Sequence, residues 1–207
     1  MNPDIRRYRT VFFDVGNVLV DFRLLDIARN LRAVAKIRLD GWLRLFWAGE
    51  TMARFEEGKI SADEFHRRIC RALGTRVPEE HFWRSINECF HPVEEMVKLL
   101  EALKARGYRI FVISNSNVVH GNYLLKTYPF FGLMDGFVWS YEAGARKPKN
   151  EIYEAAMAFS RIGFGEGLFF DDKPENIKGA IAAGLDGVLC DRPDAIARYY
   201  LGALQKG

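Results

Sequence analysis

The chain has 207 residues, of which 49% are hydrophobic, so it is long enough to bury the core of one domain and to carry a large insertion. Its 30 basic and 27 acidic residues nearly balance, and a net charge of +3 argues against nucleic acid as a partner. Three irregularly spaced cysteines fit no disulfide framework and no metal-binding pattern. The chain lacks an apolar secretory segment and any run of ~18 apolar residues, so we expect a cytoplasmic protein without membrane contact.

The first predicted element is an apolar strand over residues 11–13, which ends at Asp14 and leads directly into a turn that contains Gly16. Open α/β sheets carry their chemistry at the carboxyl ends of such strands. About seventy residues then show no convincing strand but several amphipathic segments, which predicts a helical insertion. One segment begins with a capping-box pattern at residues 61–64, and another runs from about residue 78 to residue 90.

Strands and helices alternate after the insertion. The first helix of this part starts near Glu94, with Pro92 in its first turn and Gly107 at its end. Strands are predicted over residues 108–114, 137–140, 167–171 and 187–190, and further helices over residues 150–162 and 174–183. This order predicts the α/β class, with a Rossmann-like parallel sheet, right-handed crossovers and helices on both faces.

Polar residues close or follow the apolar runs at four places, namely Asp14, Ser114, Lys147 and the pair Asp171-Asp172. Each one alone has an ordinary structural explanation, as a turn residue, a strand end, a surface lysine or a helix N-terminal pair. If the three strands are neighbours, however, their carboxyl ends converge on one crevice. All four places in this order therefore favour a single site.

The chemistry of that site follows from its residue types. Mg²⁺ takes a few oxygen ligands, so Asp14, Asp172 and a backbone carbonyl would suffice, with Asp171 holding a metal-bound water. Lys147 would offset the repulsion among the carboxylates. With Ser114 and loop amides donating hydrogen bonds to a phosphoryl group, Asp14 could attack phosphorus and form an aspartyl-phosphate that water releases.

The four segments resemble, in order, the four motifs of the haloacid dehalogenase (HAD) superfamily of hydrolases, and the resemblance covers nearly the whole chain. The matching segments are Phe13-Asp14-Val15-Gly16-Asn17-Val18, Ile113-Ser114-Asn115-Ser116-Asn117, Arg146-Lys147-Pro148 and Phe170-Asp171-Asp172. With the downstream Asn176, the chain is similar to the bacterial phosphatases that act on α-glucose 1-phosphate and, more distantly, to the N-terminal phosphatase domain of soluble epoxide hydrolases.

The resemblance implies a HAD-like core of residues 1–19 and 93–207, with residues 20–92 forming a helical cap inserted after the first strand. It also implies magnesium-dependent hydrolysis of small phosphorylated metabolites, sugar phosphates in particular, through an aspartyl-phosphate. Asp14 would be the nucleophile and a metal ligand. Gly16 would lend its backbone carbonyl to the metal, and Asp172 would complete the metal site with Asp171 behind it.

The resemblance assigns the remaining motif residues to the substrate. Ser114 and Asn115 would hold the phosphoryl oxygens, and Lys147 would steady both the nucleophile and the phosphate. Asn176 would brace the site. Asn17 would either shape the turn or hydrogen-bond the phosphate.

The position two residues after the nucleophile departs from the usual pattern of these phosphatases. An aspartate there protonates the leaving alkoxide and later activates water, a role commonly worth ~100-fold to ~10,000-fold, but this chain has Gly16. The sugar-phosphatase subgroup shares that glycine, so activity is not excluded. A metal-bound water, a less basic leaving group, or one of His120, His91 and Asp21 would have to serve instead.

Gly16 also keeps two other functions open. A dehalogenase-type hydrolase needs no acid for its leaving group, but it has no use for a magnesium site. The pair Asp171-Asp172 argues for a bound cation and therefore against this alternative. A phosphate-binding or partner-binding module that has lost catalysis is the other alternative, and Gly16 is its only support. Fold alone does not separate these functions.

Specificity is expected to lie in the cap, since lids in many enzymes contact the variable part of the substrate. The candidates for lining it are Trp42, Arg44, Phe46, Trp47 and Arg54. Arg23 could reach a second anionic group on the substrate. The sequence indicates neither the physiological substrate nor the oligomeric state.

Overall fold

The structure is a computed structural model that describes residues 2–23, 26–27, 29–30 and 49–205. The strands of these residues are β1 (Thr10–Phe13), β2 (Val20–Phe22), β3 (Phe90–Pro92), β4 (Arg109–Ser114), β5 (Gly136–Trp139), β6 (Gly167–Asp171) and β7 (Asp186–Leu189). The α-helices are α1 (Glu50–Glu56), α2 (Ala62–Ala72), α3 (Glu79–Asn87), α4 (Glu94–Ala105), α5 (Val118–Thr127), α6 (Ser140–Ala143), α7 (Asn150–Ser160), α8 (Pro174–Ala183) and α9 (Pro193–Gln205). Short 3-10 helices span Ile5–Arg7 and Pro129–Leu133.

A parallel sheet with the strand order β5-β4-β1-β6-β7 forms the centre of the molecule. Phe13 of the central strand β1 is paired with Val112 of β4 on one side and with Phe170 of β6 on the other. The predicted α/β class and parallel sheet are confirmed. The central position of β1 puts Asp14 between the carboxyl ends of β4 and β6, where open α/β sheets form their binding crevice.

The sheet is buried on both faces because successive side chains of a strand point to opposite sides. On one face, the rings of Phe13 and Phe170 stack with their centroids 4.8 Å apart, in a cluster with buried residues of α4 and α9. On the other face, Phe12 and Phe169 are buried with residues of α7 and α8. Burial on both sides explains why these strands read as continuous apolar runs rather than as alternating patterns.

The structure contains the helix-capping residues that the sequence predicts. Ser61 caps α2, and its hydroxyl accepts a hydrogen bond from the backbone N–H of Glu64 at 3.2 Å. Gly107 follows the end of α4 with φ of +76°, a conformation that favours glycine and ends the helix. The strand over 167–171 and the helix over 174–183 have the predicted bounds.

The expectation of an insertion without strands is wrong. β2 and β3 form an antiparallel ribbon in which Asp21 faces His91, and Pro92 belongs to β3 rather than to the first turn of α4. Each strand has three residues, too few to show a periodicity, and the two strands lie about seventy residues apart along the chain. The helices α5 and α9 are also absent from the sequence prediction.

The ribbon gathers both connections of the insertion at one place, where the backbone N–H of Val93 donates to the carbonyl of Leu19 at 2.9 Å. Beyond it, rings of α1, α2 and α3 pack together, with the centroids of Phe55 and Phe65 4.5 Å apart and Trp83 within 5.7 Å of both. We therefore propose that residues 20–92 form a cap on the core.

The proposed specificity residues Trp42, Arg44, Phe46 and Trp47 lie outside the residues that the structure describes. Among the described residues, no helix combines the length and the apolar character needed to cross a membrane.

Candidate active site

A cavity of about 160 Å³ opens at the carboxyl end of the sheet, between the core and the insertion. Its lining includes the motif residues Asp14, Gly16, Asn17, Ser114, Asn115, Lys147, Asp172 and Asn176. Asp171 does not line the cavity and is fully buried beneath it. The structure thus brings the candidates from four distant segments to one place, because three of these segments follow neighbouring strands.

The positively charged ammonium group of Lys147 links these segments. Its Nζ lies 2.8 Å from Oδ1 of Asp14, 2.7 Å from Oδ2 of Asp171 and 2.9 Å from the carbonyl oxygen of Ile113. Burial acts to lower the pKa of Lys147, but the two carboxylates outweigh it and hold that pKa above its ordinary value. Lys147 therefore stays protonated, with each of its three N–H groups provided with an acceptor.

Asp14 is held in one orientation and remains chemically available. Its Oδ1 accepts from Nζ of Lys147 and, at 2.7 Å, from the backbone N–H of Val15. Burial raises the pKa of Asp14 to about 6, with Lys147 opposing this shift and Asp171 adding to it. Within the described part of the chain both donors bind Oδ1, which leaves Oδ2 as the oxygen free to react or to bind a cation.

Asp171 is surrounded by donors. Asn176 Nδ2 lies 2.9 Å from Oδ1 and 3.0 Å from Oδ2, and the backbone N–H of Lys173 donates to Oδ1 at 2.8 Å. Asn176 is in turn anchored in α8, where its carbonyl accepts from the hydroxyl of Tyr153 at 2.8 Å. Asp171 therefore holds Lys147 and the start of α8 in place, with both oxygens already engaged.

The carboxylates of Asp14, Asp171 and Asp172 each place one oxygen within 4.8 Å of the others. Oδ2 of Asp172 accepts from Nδ2 of Asn17 at 3.0 Å, while its Oδ1 is buried without a hydrogen-bond partner among the described residues. An unpartnered buried carboxylate oxygen is unfavourable, and a hard cation with oxygen ligands removes that penalty. The donor set therefore fits Mg²⁺.

The turn after Asp14 allows the contact between Asn17 and Asp172. Asn17 has φ of +57°, in the left-handed region that asparagine tolerates better than most residues. A Cβ atom built on Gly16 would meet no atom within 4 Å. The backbone around Gly16 therefore leaves room for the first atom of a side chain.

Asn115 contacts the backbone of the Lys147 loop. Its Nδ2 donates to the carbonyl of Lys147 at 3.0 Å, and its Oδ1 accepts from the backbone N–H of Lys147 at 2.7 Å. The neighbouring Ser114 lines the cavity and is 3% exposed. Beside it, the backbone N–H of Ser116 donates to Oγ of Ser140 at 3.0 Å.

The wall opposite the carboxylates was missed in the sequence analysis, apart from His120. It comes from the insertion and from α5, and its residues are Phe22, Met52, Glu56, Phe90, His120 and Leu124. Glu56 at the end of α1 lies beside a core residue of the same lining, with its Oε2 2.6 Å from Nε of Arg146. No local motif marks these positions, since each owes its place to contacts between distant segments.

The histidines considered for the missing acid differ in position. Nε2 of His91 lies 2.9 Å from Oδ2 of Asp26, and neither His91 nor Asp21 lines the cavity. His120 does line it, but burial lowers the pKa of His120 to about 4. Its Nδ1 lies 3.0 Å from Nδ2 of Asn117, whose Oδ1 accepts from two backbone N–H groups, so the network assigns the proton of neutral His120 to Nε2.

Known proteins match this chain over most of its length. The family model of haloacid dehalogenase-like hydrolases matches residues 8–184. A sesquiterpene phosphatase from Aspergillus oryzae is 28% identical over 183 residues, which cover 87% of this chain and 89% of that protein. A D-ribitol-5-phosphate phosphatase from Bacteroides thetaiotaomicron is 29% identical over 179 residues, or 82% of this chain and 85% of that protein.

Solved structures match the fold. A HAD family enzyme from Bacteroides thetaiotaomicron, crystallised with magnesium and inorganic phosphate, has a TM-score of 0.74 at 22% identity and covers 88% of this chain and 93% of its own. The L-2-haloacid dehalogenase from Xanthobacter autotrophicus has a TM-score of 0.69 at 15% identity, with 94% and 83% covered. Given the family match over residues 8–184, the chain belongs to the haloacid dehalogenase-like hydrolases.

Proposed function

We propose that the chain is a magnesium-dependent phosphatase that hydrolyses small phosphorylated metabolites through an aspartyl-phosphate on Asp14. The observation that carries the proposal is the shared position of Asp14, Lys147 and the pair Asp171-Asp172 around one cavity. The phosphatase names of the two relatives above support the same reaction class.

Mg²⁺ would be held by Asp14, Asp172 and the backbone carbonyl of Gly16, with Asp171 behind them. When bound, the ion would neutralise charge on the phosphoryl group and draw it toward the nucleophile. The structural support for this assignment is the unpartnered Oδ1 of Asp172 beside the carboxylate of Asp14. The contacts of Asp171 favour an indirect role, since both its oxygens already accept hydrogen bonds.

The side chains of the site divide the work. Lys147 keeps Asp14 ionised and oriented for attack on phosphorus, and its charge also attracts the phosphoryl oxygens. The hydroxyl of Ser114 donates to the phosphoryl group. Asn115 positions Lys147 through the backbone of its loop, using its Oδ1 and one N–H of its Nδ2. The second N–H of Nδ2 is the donor that the phosphate contact implied by the family resemblance would use.

For the substrate, we propose a sugar monophosphate, as the sequence resemblance implies. Glu56 and Arg146 offer polar groups to a hydroxylated substrate. A second candidate is a phosphate ester with an apolar organic part, such as a prenyl phosphate, because Phe22, Met52, Phe90 and Leu124 form an apolar side of the same cavity.

The proposal is tested with purified protein and para-nitrophenyl phosphate, assayed with Mg²⁺, with EDTA, and with an Asp14→Asn variant. We expect turnover that requires both the metal and Asp14. A panel of sugar phosphates, prenyl phosphates and nucleotides then ranks substrates by kcat/KM, and we expect sugar monophosphates above nucleotides. Equal or faster hydrolysis of nucleotides would contradict the proposed substrate class.

The same assays separate the alternatives. Metal-independent release of halide from a 2-haloacid, without phosphatase activity, would indicate a dehalogenase-type hydrolase. No hydrolysis of any ester, together with retained binding of inorganic phosphate, would indicate a phosphate-binding module without catalysis.

A further inference from the structure

We propose that Glu56 of the cap helix α1 transfers the proton that the carboxyl missing at Gly16 would otherwise transfer. The inference rests on the proposed phosphatase function. In this role Glu56 protonates the leaving oxygen and later activates water.

The position of Glu56 is the main argument. The side chain stands at the last residue of α1, lines the same cavity as Asp14 and is 16% exposed. A Cβ atom on Gly16 would meet no atom within 4 Å, and Gly16 lines the same cavity as Glu56. Among the described residues that line this cavity, the acidic ones are Asp14, Asp172 and Glu56, and the first two belong to the nucleophile and the metal site.

The surroundings of Glu56 suit proton transfer. Burial raises its pKa, against the opposing charges of Arg146, Lys173 and Lys147, so the carboxyl keeps a proton to higher pH than an exposed glutamate. Nε of Arg146 lies 2.6 Å from Oε2 of Glu56, and its positive charge stabilises the anion after the proton has left. Neither atom makes a hydrogen bond with a described residue, so Oε2 is not tied up by another donor. A raised pKa suits an acid that protonates the leaving oxygen, and a stabilised anion suits a base that later activates water.

Glu56 would act once in each of the two steps of the reaction. In the first, an oxygen of Asp14 forms a bond to phosphorus while the bond from phosphorus to the leaving oxygen breaks, and the proton of Glu56 passes to that oxygen. In the second, the Glu56 carboxylate takes a proton from a water molecule whose oxygen bonds to phosphorus. The bond between Asp14 and phosphorus then breaks, which yields inorganic phosphate and restores the Glu56 carboxyl.

The remaining candidates fit less well. His91 and Asp21 do not line the cavity. His120 lines it but is neutral at physiological pH, and an imidazole N–H without positive charge is a weak acid. Glu56 was not considered from the sequence, because no spacing connects it to the nucleophile.

The test compares two esters that differ by one methylene, para-nitrophenyl phosphate and para-nitrobenzyl phosphate. The phenolate leaves without a proton, whereas the benzyl alkoxide requires one. For Glu56→Gln, we expect kcat/KM to fall about 100-fold or more for the benzyl ester but less than about 10-fold for the phenyl ester, in line with the usual size of acid catalysis. Equal losses on both esters, or no loss, would overturn the inference.

The chain offers a matched control at the next residue. Glu57 does not line the cavity, and its Oε1 lies 2.5 Å from Nζ of Lys149, so it also ties the end of α1 to the core. Glu57→Gln removes a comparable ion pair while leaving the proposed proton carrier in place. For Glu57→Gln, kcat/KM on the benzyl ester should not fall more than kcat/KM on the phenyl ester. If it does fall selectively, the effect comes from a shift of the cap and not from proton transfer by Glu56.

Restoring the missing carboxyl gives a second and independent measurement. Gly16→Asp added to Glu56→Gln should recover at least about 10-fold of the lost kcat/KM on the benzyl ester alone. If Glu56→Gln does not fold, Gly16→Asp is tested in the otherwise unchanged chain. A gain below about 10-fold is expected there because Glu56 already supplies the proton, and a gain of about 100-fold would overturn the inference.

The two proposals fail differently. If the unchanged chain hydrolyses neither ester in the presence of Mg²⁺, the phosphatase function is wrong and the inference falls with it. If it hydrolyses both and Glu56→Gln shows no dependence on the leaving group, only the role of Glu56 is wrong.

Discussion

The ammonium group of Lys147 lies 2.7 Å from Oδ2 of Asp171, and neither side chain is exposed by more than 1%. The same ammonium lies 2.8 Å from Oδ1 of Asp14. One buried cation therefore links the carboxylates that follow β1 and end β6. This link makes the stability of the fold and the chemistry of the site depend on the same side chain.

Replacing Lys147 with methionine leaves buried carboxylates without their counter-charge. Breaking a buried ion pair from one side typically destabilises a protein by about 3 to 5 kcal/mol, so we expect a loss of that order in urea unfolding and a loss of phosphatase activity. The double variant Lys147→Met, Asp171→Asn should recover part of the stability but none of the activity. A loss below about 1 kcal/mol in the single variant would contradict this account.

Asp14→Asn should stabilise the fold at neutral pH while abolishing turnover. The pKa of Asp14 is raised from 3.8 to about 6 in the folded chain, so ionising it there is unfavourable. The penalty is absent below the unfolded value of 3.8, grows as the pH rises from there to the folded value of about 6, and is constant above that at no more than about 3 kcal/mol. Urea unfolding at about pH 4 and about pH 7.5 measures the difference, with the exposed Asp21→Asn as control. A variant equally destabilised at both pH values would contradict the prediction.

Mg²⁺ should raise the melting temperature in a way that depends on Asp172. A ligand that binds only the folded state stabilises it by mass action, so the shift should grow with magnesium concentration. Asp172→Asn should reduce this shift strongly and should also make activity require far more magnesium. The exposed Asp191→Asn is a suitable control, because Asp191 lies outside the carboxylate cluster. An unchanged shift in Asp172→Asn would exclude this residue as a ligand.

Asn115→Ala separates a positioning role from phosphate binding. Because both amide groups of Asn115 hold the Lys147 backbone, the variant leaves buried backbone groups unpaired, and we expect a loss of about 1 to 3 kcal/mol in stability. We also expect a lower kcat with a nearly unchanged inhibition constant for inorganic phosphate. A large rise in that constant with unchanged kcat would instead support the phosphate contact that the family resemblance implies.

Much of the core could be predicted from the sequence because its signals are local. The strand over 167–171, the helix over 174–183 and the cap at Ser61 depend on apolar runs, Pro and Gly punctuation and side-chain to backbone contacts between near neighbours. The motif residues could also be grouped, since parallel strands end at one edge of a sheet. The ribbon of β2 and β3 gave no such signal, because three-residue strands have no readable period.

The sequence by itself determined the fold class, the family and the set of polar residues at the carboxyl ends of the strands. Only the tertiary structure decided that Asn115 holds the Lys147 loop, that Asp171 accepts from Lys147, and that Glu56 of the insertion meets Arg146 of the core. The physical reason is the separation of the contacting residues along the chain. Propensity and capping act between residues a few positions apart, whereas Lys147 is 32 positions from Asn115 and 24 from Asp171, and Glu56 and Arg146 belong to the insertion and the core.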